Sequence, residues 1–250
     1  PRPELRPRRG APAQEAGRPL IHGRNAVLAA ARAGRVLRVL MAPGLAPDPR
    51  LDEIRRLARV DQAPAGVLDA LTEGVHQGVA AEVRPHRLIG LDELLRLGPT
   101  LLVALDSVQD PHNLGAILRS AEAAGAGGAI LPARRTAPVG GAAVKAGSGA
   151  TELLPLCQVP GLPSAIGALK RAGFWCVALD PGGEALPWEV DLTGPLCLVV
   201  GGEGTGVHRL VRERCDARVR LPMAGRLESL NASAAAAAVL FEAVRQRGPG

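Results

Sequence analysis

The sequence has 250 residues, of which 47% are apolar and 22% charged, with a net charge of +6. This mix excludes wholesale disorder, which needs low hydrophobicity and high charge. The longest apolar stretch, residues 234–241, is too short to cross a bilayer as a helix. Only Lys145 and Lys170 are lysines, so the cationic excess is arginine. Part of that bias follows a general richness in Ala, Gly and Arg. Even so, guanidinium favours bidentate phosphate contacts, and the basic balance leans toward a polyanionic partner. Aromatics are 2% and Tyr is absent, which argues against a base-stacking platform.

Residues 1–18 are rich in Pro and Arg and read as a flexible basic tail. No apolar stretch follows them, so no secretory signal is expected. Residues 19–84 alternate between helical and extended patterns. A helix is predicted over 25–32 (NAVLAAAR), closed by Gly34, and a strand over 36–41. An amphipathic helix over 48–60 would place Leu51, Ile54, Leu57 and Ala58 on one face. Short strands are predicted at 65–67 and 79–83. This is a small α/β unit. Residues 85–98, with one short helical patch, read as an interdomain linker.

A second α/β pattern occupies residues 99–250. Strands are expected at 101–105, 128–131, 174–179, 196–200 and 217–221, and helices at 113–124, 163–172, 207–212 and 232–247. Continuous apolar strands between helices predict a parallel sheet covered on both faces. Cys157, Cys176, Cys197 and Cys215 form no Cys-x-x-Cys pair, so no metal site is expected. Cys176 and Cys197 sit in apolar runs and read as buried thiols, consistent with a reducing cytoplasm.

Three segments place glycines and polar residues just past an apolar strand, where open α/β sheets bind ligands. Residues 101–125 run from a strand through a polar loop into a helix near Asn113, with Arg119 six residues on. Asn113 as a plain helix cap and Arg119 as a surface charge would be the bland alternative. Residues 196–207 (LCLVVGGEGTGV) surround Glu203 with Gly201, Gly202, Gly204 and Gly206. This is neither a P-loop nor a GxGxxG register, so a dinucleotide oxidoreductase is disfavoured. Residues 219–247 lead from a strand through Ser229, Leu230 and Asn231 into an Ala-rich helix.

Together the three segments resemble the three motifs of the SpoU-type RNA ribose 2'-O-methyltransferases of the SPOUT superfamily. The matching residues are Asn113, Gly115 and Arg119, then GGEGTG at 201–206, then LPMAGRLESLNAS at 221–233. IHGRNAVLAA at 21–30 and HQGVAAEV at 76–83 are similar to the small ribosomal-protein-like RNA-binding domain that precedes the catalytic domain in that family. The subfamily it looks most like methylates a guanosine of 23S ribosomal RNA. Ala232 stands where Val is common, and Thr205 where Lys is common.

The resemblance implies a C-terminal parallel-sheet domain with a deep trefoil knot. It implies S-adenosyl-L-methionine as methyl donor and no metal. It also implies ribosomal RNA or a pre-ribosomal particle as substrate, a homodimer, and no membrane. The donor-contacting positions it implies are Gly201, Leu221 and Leu230, with Val200, Gly202 and Met223 beside them. The catalytic set it implies is Asn113, Arg119, Glu203, Ser229 and Asn231. Arginine is a poor base, so Arg119 is expected to position a phosphate or stabilise developing negative charge. Rival readings are a transfer-RNA or resistance ribose methyltransferase and, from another class, a non-catalytic RNA-binding assembly protein.

Overall fold

The computed structural model describes residues 18–72, 74–204 and 206–248. Apart from Arg18, the expected basic tail lies outside the described residues, as does Thr205. In chain order the elements are β1 (Leu20–His22), α1 (Arg24–Arg32), β2 (Val36–Met41), α2 (Pro49–Leu57), β3 (Val60–Gln62), α3 (Ala65–Leu71), β4 (Val79–Val83), β5 (Leu88–Ile89), α4 (Leu91–Arg96), β6 (Leu101–Asp106) and α5 (Pro111–Ala123). Next come β7 (Ala129–Pro132), α6 (Gly141–Gly147), α7 (Ala150–Leu153), β8 (Leu156–Val159), α8 (Leu162–Arg171), β9 (Trp175–Leu179), β10 (Leu196–Gly201), α9 (Arg209–Arg212), β11 (Ala217–Val219) and α10 (Ala232–Arg247).

The first strands form a four-stranded sheet in the order β1-β4-β2-β3. In it β4 pairs antiparallel with β1 and β2, and β3 runs parallel to β2. One face packs on α1 and α2 through Val27, Ala30, Leu51 and Ile54, and the other takes Leu68 of α3. Two expectations fail here. The helix expected over 48–60 stops at Leu57, because Ala58 is already extended and Val60 pairs with Val39 of β2. Leu57 is thereby left about half exposed (48%) instead of joining Leu51 and Ile54 in the core. The strand expected at 65–67 is instead the first turn of α3, entered through Pro64. Sheet pairing has claimed Val60, upstream, and the Ala and Leu residues of AGVLDAL favour helix.

The larger sheet has seven strands in the order β11-β9-β10-β6-β7-β8-β5, every neighbouring pair parallel. Both faces are covered, which explains the unbroken apolar runs. Along β6, Leu101, Val103 and Leu105 face one apolar cluster with Leu114, Ile117 and Leu118 of α5 and Val239 and Leu240 of α10. Leu102 and Ala104 face the other cluster, with Leu162, Ile166 and Leu169 of α8. Cys176 and Cys197 are buried free thiols there, as expected. The order reverses at β6: β7 and β8 extend to one side, β10, β9 and β11 to the other. A crevice at the C-terminal ends of β6 and β10 is the consequence.

Residues 85–98, expected as a linker, carry the edge strand β5 paired with β8 and the helix α4, whose Leu94 is buried against the large sheet. The two units meet in a packed seam. Val144 of α6 belongs to the small unit's apolar cluster, and Arg35 reaches Glu152 of α7 at 2.5 Å.

Candidate active site

The crevice is built from the ends of parallel strands. Gly201, the last residue of β10, stands in register with Asp106, the last of β6. The glycine-rich turn after it folds back on itself. A Cβ at Gly201 would lie 2.0 Å from the carbonyl carbon of Gly206, so no side chain fits there. The turn is held at both ends by the β6 terminus. The Gly202 amide donates to the Asp106 carbonyl at 2.9 Å, and the His208 amide donates to the buried Asp106 carboxylate at 2.7 Å.

Beside this turn opens a cavity of about 560 Å³. Val200, Gly201, Gly202, Leu221, Met223 and Leu230 all line it, together with Glu203, Ser229 and Asn231. Its ionisable lining is acidic, Asp180, Glu203 and Glu228 with no Lys or Arg among the lining residues, although Arg212 already holds the Asp180 carboxylate at 2.9 Å. Such a wall favours a cationic guest. Backbone from the glycine turn and apolar side chains make up much of the rest, and the volume lies within the range of small-molecule sites.

A second cavity, about 160 Å³, adjoins it and shares Glu203 and Ala232. Ser107, Val108, Gln109, Asp110 and Asn113 complete its lining. The two spaces meet at one hydrogen-bonded node. Asn231 Nδ2 donates to Asn113 Oδ1 at 2.8 Å and to Glu203 Oε1 at 2.6 Å. Asn231 Oδ1 faces the other way and accepts from the Ser233 and Ala234 amides, capping α10. The helix start thus fixes which end of this amide points at the site. Three segments far apart in sequence converge on one side chain.

Asn113 is buried (7%) and is not the cap of α5. Asp110 holds that role, its carboxylate accepting from the His112 and Asn113 amides. Gly115 lets α5 approach α6: a Cβ there would meet the Ala143 carbonyl at 2.3 Å. Arg119 is not brought to the node. Six residues along α5 place it about 9 Å up the axis and a third of a turn from Asn113. It is exposed, lines neither cavity, and donates to Ser148 Oγ at 3.3 Å. His76, at the head of the 76–83 segment, accepts from the Gly78 amide at 2.9 Å and lies 2.9 Å from Asp69.

Sequence reasoning missed Asp180 and Pro181, which line the large cavity. Their signal was present: a DPGG turn directly after the apolar strand β9, as in the other three segments. Asp106 also went unnoticed, because it reads as the polar end of a strand until its bond to His208, 102 residues later, is seen. Among the described residues no group of His, Cys, Asp and Glu is arranged to hold a metal ion. Among the same residues no helix is long and apolar enough to cross a membrane.

Residues 100–241 match the SpoU rRNA methylase family, and residues 20–88 match the RNA 2'-O ribose methyltransferase substrate-binding domain. The chain belongs to the SpoU rRNA methylase family. Among SpoU-family relatives, a Pseudomonas syringae protein named 23S rRNA (guanosine-2'-O-)-methyltransferase RlmB is 45% identical, over 91% of this chain and 95% of its own length. An uncharacterized tRNA/rRNA methyltransferase of Mycolicibacterium vanbaalenii is 42% identical, over 91% of this chain and 76% of its own. The SpoU methyltransferase AviRb of Streptomyces viridochromogenes has a similar structure. In complex with the cofactor AdoMet it superposes with a TM-score of 0.77 at 30% identity, covering 91% of this chain and 90% of that one.

Proposed function

We propose that this SpoU-family chain transfers a methyl group from S-adenosylmethionine to a ribose 2'-hydroxyl of RNA, and that the target is a guanosine of 23S ribosomal RNA. The observation that carries the reading is the node. Asn231, fixed by capping α10, joins Asn113 and Glu203 where the larger cavity opens into the smaller. The larger space suits the donor, whose sulfonium and ammonium groups match Glu203 and Glu228. The donor supplies an electrophilic methyl on a good leaving group, so alignment dominates catalysis.

In this reading the backbone of Gly201, Leu221 and Leu230 holds the donor, with Val200, Gly202 and Met223 shaping the wall. Asn113 and Asn231 orient the ribose, and Ser229 and Glu203 complete the rim. The smaller cavity takes the ribose, and only RNA offers its 2'-hydroxyl. Arg119 serves as a phosphate or hydroxyl positioner. Because its guanidinium lies outside both cavities, that role requires RNA to bring a phosphate to the outer face of α5, or a second copy of the chain to present the arginine. The trefoil knot belongs to the same reading.

A homodimer is favoured by the outer stripe of α10, where Ala234, Ala238 and Phe241 are exposed in helical register. An enzyme with this substrate works in the cytoplasm. The 45% identity of the Pseudomonas relative favours ribosomal over transfer RNA. The test is tritiated methyl transfer to unmethylated 23S ribosomal RNA, with transfer RNA in parallel and ribose-methyl mapping of the product. Label at one guanosine ribose of the ribosomal RNA is expected. Label in transfer RNA alone would keep the chemistry and overturn the target, while absence of donor binding would favour a pure RNA-binding protein. Arg119→Ala is expected to bind donor normally and lose turnover, and normal turnover would remove it from the site.

A further inference from the structure

After β7 the chain makes a short arch over residues 133–137. It is pinned at both feet: the Ala133 amide donates to the Val159 carbonyl at 2.8 Å, and the Ala137 amide to the Val108 carbonyl at 2.9 Å. Ala137 is buried in the core beneath. Between the feet stand Arg134, Arg135 and Thr136, and both arginines are exposed. Neither side chain forms an ion pair or hydrogen bond among the described residues, a state they share with Arg56, Arg96 and Arg171, so both guanidiniums are free for a ligand. Arg135 also has φ +64°, a left-handed conformation that favours glycine. A strained, unpaired, solvent-facing arginine adds nothing to the fold, and strain of this kind is typically kept for a task.

The arch sits between two features already described. One foot bonds to Val108, which lines the smaller cavity. On its other side Ala133, Thr136 and Ala137 line a cavity of about 500 Å³ at the seam, together with Ile21, Arg35 and His86 of the region matched by the substrate-binding domain. The arch thus adjoins the smaller cavity on one side and the seam cavity on the other.

We propose that residues 133–137 form a phosphate grip, in which Arg134 and Arg135 contact adjacent phosphates of the RNA as it runs from the N-terminal unit into the candidate site. This deepens the reading of RNA as substrate and rests on it. Each neutralised phosphate adds about 0.7 to 0.9 to the slope of log affinity against log salt. The double variant Arg134→Gln/Arg135→Gln should therefore lower that slope by about 1.5. Its KM for RNA should rise several-fold, with the loss falling in KM rather than in kcat, while donor affinity by calorimetry stays at the parent value.

Arg135→Gly separates binding from folding. It relieves the left-handed strain, so its Tm should rise while its RNA affinity falls and about one phosphate's worth of slope disappears. Arg134→Lys/Arg135→Lys should keep most of the slope. A double variant with the parent's slope and KM would overturn the grip, as would one that lost kcat and Tm with the slope intact. The same salt series read by filter binding of 23S ribosomal RNA needs no turnover. A parent that binds RNA with the expected slope difference but transfers no methyl would therefore sink the reaction and leave the grip standing.

Discussion

Asn231 carries two tasks on one amide, and chemistry can separate them. Its oxygen caps α10 and its nitrogen joins Asn113 to Glu203. Asn231→Asp keeps an oxygen for the cap. It puts a second oxygen where a donor stood, facing the Asn113 oxygen and the Glu203 carboxylate. The variant should melt close to the parent and lose methyl transfer by tenfold or more, the loss of about one charged hydrogen bond. Asn231→Ala should lose the same activity and, in addition, about 0.5–2 kcal/mol of stability with the cap. Activity assays beside denaturant melts read both; an active Asn231→Asp would dissociate the node from turnover. Gly201 tests the donor cavity in the same way. Its missing Cβ is replaced by the Gly206 backbone, which cannot swing aside as a side chain would. Gly201→Ala should therefore abolish donor binding measured by calorimetry, and cost about 1–3 kcal/mol of stability.

At the scale of elements, α10 is the best test of how the site is assembled, because its inner face holds the core while its outer face is apolar and bare. Val239 and Leu240 pack on the sheet side, whereas Phe241 is half exposed (49%) with Ala234 and Ala238 in line. Phe241→Glu should leave the fold intact and shift the mass in light scattering from dimer to monomer. A parent that is already monomeric would remove the dimer from the proposed function. The legibility of these elements tracks their physics. The strands β2, β4 and β10 are readable as compact apolar runs, and the helix α10 from its Asn231 cap and its run of Ala, a strong helix former. The elements α6, α7 and β8 are not: GGAAVKAGSGA carries no period, and close packing against α5 at Gly115 is what orders it. The stretch holding β3 and α3 misleads because pairing with β2 decides where the preceding helix ends. In the candidate site, glycines and capping residues past strand ends are legible locally. The asparagine node and the Asp106–His208 bond join residues more than 100 apart, and Arg119's distance from the node depends on helix phase.

At the scale of the whole molecule, a charged cluster sits at the seam beside the apolar contact of Val144. Arg35 of the small unit meets Glu152 of α7 at 2.5 Å and lies within 2.8 Å of both ring nitrogens of His86. The Glu152 side chain is almost wholly buried, and its second oxygen has no partner. Burial raises its pKa, while Arg35 pulls it back down. Burial first, and the Arg35 charge second, hold His86 down at about 4. Between pH 6.5 and 4 the unfolded chain takes up a proton at residue 86 that the folded protein refuses. His86 therefore contributes stability above about pH 6.5 that is lost as pH falls toward 4. Removing Arg35 leaves the Glu152 carboxylate buried without compensation, so Arg35→Ala should cost about 3 kcal/mol at neutral pH. Its pH dependence has a definite sign. Protonating Glu152 relieves the variant, and losing the Arg35 cation makes His86 easier to charge beside that carboxylate, 3.6 Å away. The stability gap between Arg35→Ala and the parent should therefore narrow as pH drops from 7 to 5. Glu152→Gln, which removes the charge and keeps the shape, should cost less than Arg35→Ala and show no such narrowing. Urea melts of the three proteins across that range decide the matter: a gap that stays constant or widens toward acid would mean the seam is held by its apolar contacts, with the ion cluster contributing nothing.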